Sequence, residues 1–264
     1  MIFVMNVNLP YIPERTEKER EYGITMIIDK GLTLNEAIGI CELAADYIDF
    51  VKFGFGTALV TKNLKEKIKV YKSYNIKPYF GGTLFEAFVI RDKLEGFLKF
   101  LDSYKIEVVE ISDGSIVVDH DKKCEYIHHL SKNFYVLSEV GSKDEKIIIS
   151  PSKWIKLIKK ELEAGAKKVI TEARESGNVG IYRSDGKAHV LLINRILNSI
   201  DHKNIIWEAP LKSQQAWFIK LLGANVNLGN IPPSEIIALE TLRLGLRGDT
   251  FNLFLPDELK NQNI

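Results

Sequence analysis

Short apolar runs recur along the chain, and the segments between them place apolar residues at helical spacing. Leu34–Asp46 and Ser152–Ala164 each carry one apolar stripe with a period near 3.6 residues, so both are predicted helices. The apolar runs themselves are rich in Val and Ile, and many end at Gly or Pro, as strands do. Eight such strands are predicted: Gly23–Asp29, Tyr47–Gly54, Ile76–Gly82, Glu107–Gly114, Phe134–Gly141, Lys167–Ala173, Asn204–Pro210 and Asn225–Ile231.

Eight strand–helix units in 264 residues predict an α/β fold, a single-domain (β/α)₈ TIM barrel. We expect the barrel to span residues 23–251, with an N-terminal extension (1–22) packed on it and a C-terminal tail (252–264). The alternative is a doubly wound open sheet, which also alternates strands with helices. Its usual fingerprint, G-x-G-x-x-G, is missing after the first strand, and "GFGT" after the second lacks the third glycine. The count and the length therefore favour the barrel.

Composition limits the classes of partner. Lys and Arg number 36 against 35 Asp and Glu, so the chain has no excess charge to hold nucleic acid or an anionic membrane. No apolar run approaches the roughly 20 residues of a membrane span, and the N-terminus lacks the features of a signal peptide. We expect a cytoplasmic protein in which Cys41 and Cys124, which have no C-x-x-C partner, stay reduced.

Four predicted strands end in a glutamate followed by loop, in "VVEISDGS", "VLSEVGSK", "KVITEARESG" and "IIWEAPLKS". The glutamates are Glu110, Glu139, Glu172 and Glu208. Catalytic side chains of a barrel lie at the C-terminal strand ends. Because side chains alternate along a strand, Glu172 and Arg174 point to the same side, which we predict to be the barrel mouth.

Four converging glutamates need positive charge nearby. Two unit charges about 4 Å apart repel by roughly 4 kcal/mol at an effective dielectric of 20, so either some pKa values rise or cations lie among the carboxylates. Lys52, Lys143 and Arg174 supply part of that charge, and a divalent ion would supply the rest. Oxygen ligands without His or Cys favour Mg²⁺. For any single glutamate, the alternative is that it faces the helices and pairs with a lysine.

Two late segments suit anions. "APLKSQQ" ends strand seven and begins a helix near Ser213, and "NLGNIPPSE" follows strand eight. Barrels often hold phosphate at these loops, so we predict a phosphate site there, with an ordinary helix N-cap as the alternative. The five histidines all fall in predicted loops or helices, which argues against a His-zinc hydrolase or a His-based triad.

Several motifs together carry a family resemblance. "TMIIDKGL", "DYIDFVKFGFGT", "PYFGGTLFEAF", "VEISDGS", "SEVGSKD", "ARESG", "EAPLKSQQ" and "LETLRLGLRGDTF" resemble the phosphosulfolactate synthase family from Gly23 to Phe251. The resemblance implies a Mg²⁺-dependent (β/α)₈ barrel that adds sulfite to phosphoenolpyruvate, giving (2R)-O-phospho-3-sulfolactate on the route to coenzyme M in methanogens. Bacterial relatives are linked to sulfolactate, and plant relatives to heat stress. The chain departs from the family pattern at Ser142, where a second lysine is common, and at Thr171 and Ala173.

The implied chemistry distributes roles among the strand-end residues. Sulfite attacks C3, charge builds on the C1 carboxylate, and C2 takes a proton. We predict that Glu139, Glu172 and Glu110 ligate Mg²⁺, with Glu208 in reserve. Lys143 is the predicted proton donor and Lys52 the second candidate, each requiring a lowered pKa. Arg174 is predicted to hold sulfite or the carboxylate, and Lys30, as a further catalytic residue, to help offset the repulsion between the two anions. The predicted phosphate-binding residues are Lys212, Ser213, Gly229 and Asn230.

Two other functions fit the same residues. One is another Mg²⁺-dependent lyase or aldolase acting on a phosphorylated enolate. The other is a non-catalytic, stress-related barrel protein, for which lost strand-end charges would be expected, yet these charges are present. The expected partners are small anions rather than nucleic acid or membrane, and the sequence does not separate a monomer from a homo-oligomer.

Overall fold

A computed structural model describes residues 6–141 and 149–260, and in it the eight predicted strands form one closed parallel barrel. Strands adjacent in sequence are hydrogen-bonded neighbours, and the last pairs with the first. Each strand lies inside the run that predicted it. They are β1 (Thr25–Asp29), β2 (Phe50–Phe53), β3 (Lys77–Phe80), β4 (Val108–Ile111), β5 (Tyr135–Val140), β6 (Lys168–Thr171), β7 (Ile205–Glu208) and β8 (Leu228–Ile231). The (β/α)₈ prediction is confirmed, and closure excludes the open doubly wound sheet.

A helix follows every strand, and β3 and β8 are each followed by two. They are α1 (Leu34–Ala44), α2 (Leu64–Ser73), α3 (Gly82–Val89), α4 (Leu94–Ser103), α5 (His120–Leu130), α6 (Pro151–Ala164), α7 (Val190–Leu197), α8 (Lys212–Leu222), α9 (Ile236–Arg243) and α10 (Asp257–Lys260). The predicted helices at 34–46 and 152–164 correspond to α1 and α6. Within the described ranges, none of these helices has the length and apolar character needed to cross a membrane.

Local signals explain where the two predicted helices begin and end. The Thr33 hydroxyl accepts from the backbone N–H of Glu36, whose carboxylate accepts in return from the Thr33 backbone, so a capping box starts α1. Ser150 caps α6, Pro151 is its first residue, and Gly165 ends it in the left-handed region at φ 118°.

The barrel interior changes character from bottom to top. At the lower end aromatic rings fill it: Phe50 lies 6.4 Å from Tyr79 and 5.8 Å from Tyr135, measured between ring centroids. One layer higher the interior residue of β2 is Lys52, which pairs in register with Tyr79 of β3. The lower barrel is therefore a packed core, and polar side chains begin where the strands approach their C-terminal ends.

The chain before β1 lies against the N-terminal face of the barrel. The Arg15 guanidinium donates to Glu240 of α9 at 2.7 Å and to the Ala224 carbonyl at 3.1 Å. Lys18 donates to the carbonyls of Ala45 and Tyr74 at 2.9 and 3.1 Å. These contacts fasten residues 15–18 to the face opposite the strand-end glutamates. The domain boundaries themselves stay predictions.

Candidate active site

A cavity of about 710 Å³ opens at the C-terminal ends of the strands. The predicted glutamates from β4, β5, β6 and β7 all line it, although each comes from a different strand. The residues of interest in its wall are Lys52, Glu110, Glu139, Glu172, Arg174, Glu175, Glu208 and Asn230. Alternation along the strands thus brings together the charged residues that the sequence predicted at the mouth.

Lys52 is the centre of the buried charge. Its Nζ lies 3.2 Å from a carboxylate oxygen of Glu110, 3.4 Å from one of Glu208 and 3.7 Å from one of Glu139. The Lys52 side chain is 9% exposed, and the Glu110 and Glu208 side chains are 1% exposed. One ammonium group therefore faces three carboxylates from three strands, and Glu172 adds a fourth carboxylate to the same cavity.

The pKa values of this cluster follow from burial and from mutual charge. Burial raises the pKa of Glu208 to about 7. The positive charge of Lys52 lowers this pKa, and the negative charge of Glu139 raises it further. Burial would lower the pKa of Lys52, but Glu110, Glu208, Tyr79 and Glu139 outweigh it and hold that pKa well above its ordinary value. Lys52 therefore stays positively charged. A proton donor would need a lowered pKa, so the raised pKa of Lys52 does not suit the second-candidate role predicted for it.

Glu110 and Glu208 are oriented by fixed donors. One Glu110 oxygen accepts from the Gly82 backbone N–H at 2.6 Å, and the other accepts from the Tyr79 hydroxyl at 3.0 Å. A Glu208 oxygen accepts from the Ala173 backbone N–H at 2.9 Å. Sequence reasoning missed Tyr79, although strand alternation places it on the same interior side as Lys52.

The loop after β6 folds back onto Glu172. The Glu172 carboxylate accepts from the Arg174 backbone N–H at 2.6 Å. The backbone carbonyl of Glu172 accepts from the Ile181 N–H at 3.1 Å. Gly180 makes this return possible, because a Cβ there would lie 1.8 Å from the Glu172 carbonyl oxygen and its φ is +66°. Arg174 is itself left-handed, at φ 51°, in the cavity wall. Such strain in a non-glycine residue is typical of functional sites.

The two charged residues that end β1 take different places. The side chains of Lys30 and Glu175 form an ion pair at the rim, where they are 43% and 51% exposed. Asp29 instead points away from the cavity, and its carboxylate lies 2.6 Å from Lys67 and 2.9 Å from the Tyr71 hydroxyl. Since Ile28 lines the cavity, alternation along β1 could have shown that Asp29 faces the helices.

The predicted phosphate-binding residues are not brought together. Lys212 is paired with Asp249 at 2.8 Å outside the cavity wall, and Ser213 is exposed at the start of α8. Gly229 faces Met26 and the barrel interior. Asn230 does line the cavity: it is 7% exposed and left-handed at φ 55°, and its Oδ1 accepts no hydrogen bond within the described residues.

The "SQQ" segment that follows Lys212 has a role that the sequence did not reveal. The Gln214 carboxamide donates to the Gly177 carbonyl at 2.7 Å and to the Gly186 carbonyl at 3.1 Å. It thereby ties α8 to the long loop that carries Arg174. A contact across 37 residues has no local sequence signal.

Lys143, the predicted proton donor, and Ser142 lie outside the described residues. In residues 6–141 and 149–260, no group of three or more His, Cys, Asp and Glu side chains is arranged to hold a metal ion. The five histidines occupy α5, the start of α7 and the short 3₁₀ helix His202–Asn204, as the sequence predicted.

Comparison with known proteins identifies the family of this chain. A family model described as (2R)-phospho-3-sulfolactate synthase (ComA) matches residues 13–249. The chain belongs to the ComA family. A Bacillus subtilis protein named phosphosulfolactate synthase is 48% identical over 245 residues, covering 92% of this chain and 97% of the relative. One of the same name from Methanothermobacter thermautotrophicus is 45% identical over 244 residues, covering 90% and 95%.

Solved structures support the fold of this ComA-family chain. A 3-hexulose-6-phosphate synthase from Salmonella typhimurium has a TM-score of 0.55 at 14% identity, covering 85% of this chain and 100% of its own. A 3-keto-L-gulonate-6-phosphate decarboxylase from Vibrio cholerae has a TM-score of 0.52 at 11% identity, covering 89% and 100%. At such identities the likeness concerns the barrel alone.

Proposed function

We propose that this chain is a phosphosulfolactate synthase, a lyase-type enzyme that adds sulfite to phosphoenolpyruvate. The observation that carries the proposal is the ring of buried carboxylates around Lys52, with Arg174 in the same cavity wall, in a member of the ComA family. A non-catalytic barrel would have no use for this costly cluster of buried charge.

The reaction forms one carbon–sulfur bond, at C3, and adds one proton, at C2. The sulfur lone pair of sulfite attacks C3, and the π electrons of the C2–C3 bond move toward C2 and the C1 carboxylate. A proton delivered to one face of C2 then gives (2R)-O-phospho-3-sulfolactate, and no group leaves. The site must therefore stabilise negative charge near C1, hold two anions side by side and protonate C2 from one direction.

Lys52 and Arg174 supply fixed positive charge. Because its pKa is held well above the ordinary value, Lys52 stays an ammonium, and it suits electrostatic stabilisation better than proton transfer. Arg174 lies in the cavity wall with its backbone fixed by Glu172, and its planar guanidinium suits an anion such as sulfite or the substrate carboxylate. Lys143 stays the predicted proton donor.

Mg²⁺ fits the donor set. Glu139 and Glu172 stand on adjacent strands in the cavity wall, and Mg²⁺ commonly binds through one or two carboxylates plus substrate oxygens. These two glutamates would hold the ion, while Glu110 and Glu208 flank Lys52. When bound, Mg²⁺ would supply positive charge where the C1 carboxylate becomes more negative.

Substrate phosphate is assigned to the side of the cavity near Asn230. Of the predicted phosphate set, this residue lines the cavity, and its backbone there is left-handed. Lys212 is outside the wall, so the positive charge for phosphate has to come from within the cavity. Lys30, at the rim, would meet substrates on entry rather than in the reacting complex.

The test is direct. The purified protein is incubated with phosphoenolpyruvate, sulfite and Mg²⁺, and phosphorus NMR follows the loss of the enol phosphate signal and the appearance of an alkyl phosphate. We expect a single product that requires both substrates. Product formed without sulfite would indicate a different lyase, and no turnover at all would overturn the assignment.

A further inference from the structure

A second buried lysine stands directly behind the candidate active site. Lys123, on α5, is 2% exposed and does not line the cavity. Its Nζ donates to Asp113 at 2.9 Å, lies 2.9 Å from a carboxylate oxygen of Glu161 on α6, and donates to the backbone carbonyl of Glu139 at 2.5 Å. All three hydrogens of the ammonium group thus have an acceptor.

The hydrogen-bond ladder between β4 and β5 ends beside the Glu139 carbonyl, and Lys123 supplies a donor there. The Tyr135 N–H donates to the Glu107 carbonyl, so the backbone groups of residues 135, 137 and 139 point toward β4. The β4–β5 register ends with Ile111 opposite Ser138. β4 ends at this point, so it provides no further backbone N–H for β5. The Lys123 ammonium donates to the Glu139 carbonyl in the place of a strand N–H.

We propose that Lys123 is a positioning residue that fixes Glu139, and with it the end of β5, for the reaction. It acts through the backbone of Glu139 rather than by touching substrate. The same ammonium holds Asp113 in the loop after β4, so one side chain sets two adjacent strand ends at the mouth. The inference rests on the proposed function, in which Glu139 helps to hold Mg²⁺.

The charge state supports a rigid tether. Burial would lower the pKa of Lys123, but Glu161 and Asp113 outweigh it and raise that pKa above its ordinary value. The Glu161 side chain is 0% exposed, and the oxygen that faces Lys123, Oε1, also lies 3.2 Å from His120 Nε2. Charge-assisted bonds of this kind are short and directional, which suits a group that must hold a backbone carbonyl in place.

Lys67 offers a matched control within the same barrel. It is a buried lysine on α2, 1% exposed, and it binds Asp29 at 2.6 Å and the Leu32 carbonyl at 2.7 Å. Neither acceptor lines the cavity. Removing Lys67 therefore deletes a buried ammonium and its bonds from the neighbourhood of β1 without loosening a cavity carboxylate.

The experiment compares Lys123→Met with Lys67→Met in the full-length chain. Since a lone buried carboxylate is costly, the double variant Lys123→Met/Glu161→Met removes the pair together, an exchange that is often neutral for stability. Thermal unfolding identifies which variants are folded. Wild type is assayed first, so failure of the proposed function is seen as absence of product there, before any variant is considered.

For folded Lys123 variants we expect kcat to fall by at least about tenfold, with KM for phosphoenolpyruvate changed less than about threefold. The Mg²⁺ concentration for half-maximal activity should rise by about tenfold. Mn²⁺ binding to the substrate-free protein, followed by electron paramagnetic resonance, should weaken in parallel. Lys67→Met should change none of the three readouts by more than about twofold. Wild-type kcat and wild-type Mn²⁺ binding in the folded double variant would overturn the proposal.

Discussion

The pKa of Glu208 makes a quantitative prediction about stability. Burial raises it from an ordinary value of 4.5 to about 7 in the folded chain. A carboxyl group whose folded pKa is raised binds more protons folded than unfolded, so its contribution is fully present below pH 4.5 and is lost as the pH rises through about 7. At 1.36 kcal/mol for each pKa unit, this difference corresponds to roughly 3 kcal/mol of unfolding free energy.

The assay is urea unfolding of wild type and Glu208→Gln at a series of pH values in EDTA. The glutamine cannot titrate, so wild type minus variant isolates the contribution of Glu208. We expect that difference to decrease by about 3 kcal/mol between pH 4.5 and pH 8. Glu42→Gln makes the same chemical change on the exposed face of α1, and its difference from wild type should stay within about 0.5 kcal/mol.

The outcome separates two accounts of the cluster. If Lys52 neutralised Glu208 completely, the folded pKa would stay near or below 4.5, and the difference curve would be flat or would rise with pH. Either result would refute the reasoning that burial dominates at this position. A decrease of the expected size, by contrast, would show that burial outweighs the Lys52 charge in setting the pKa of Glu208.

Three further perturbations have defined outcomes. EDTA should abolish turnover and Mg²⁺ or Mn²⁺ should restore it, while Glu139→Gln should lower activity at least about a hundredfold with the fold retained; full activity in excess chelator would contradict the metal proposal. Gly180→Ala should destabilise the chain by more than about 2 kcal/mol in urea unfolding, because its Cβ would meet the Glu172 carbonyl, whereas Gly39→Ala, in open space on a helix, should not destabilise it. Lys212→Ala should change KM for phosphoenolpyruvate less than about twofold in steady-state kinetics, because its ion pair lies outside the cavity; a tenfold rise would return it to the phosphate site.

Sequence periodicity was sufficient for the fold and for the carboxylate cluster. All eight strands form inside the runs that predicted them, because each run is apolar, branched and closed by a turn residue. The convergence of Glu110, Glu139, Glu172 and Glu208 follows from two local facts, the two-residue repeat of a strand and the common direction of parallel strands. Neither fact depends on contacts between distant residues.

Long-range contacts were beyond the same reasoning. The sequence shows that Lys212 follows a strand, but not that its side chain meets Asp249, 37 residues away. It identifies Lys52 as charged, but the direction of its pKa depends on carboxylates from other strands. The sequence around Lys123 is typical of a solvated helix. In the structure, however, Lys123 pairs with Glu161 of α6 and donates to the Glu139 carbonyl at the end of β5. In each case the partner, rather than the residue, decides the role.

The two faces of the barrel use buried charge differently, and the difference indicates where chemistry is expected. On the N-terminal face, Arg243 donates to the carbonyls of Ala224, Val226 and Ile24, and Arg15 is matched by Glu240. Those cations bond to groups of the chain itself, although the Arg243 Nε has no partner within the described residues. On the C-terminal face, four carboxylates line one cavity together with Lys52 and Arg174, at the place where the proposed substrates, both anions, would bind. A barrel selected for stability alone would not collect this charge, since burying it costs more than apolar packing in the same volume. The four carboxylates converge on one cavity from successive strands, so this face, rather than the network at the other end of the barrel, is where we expect the chemistry.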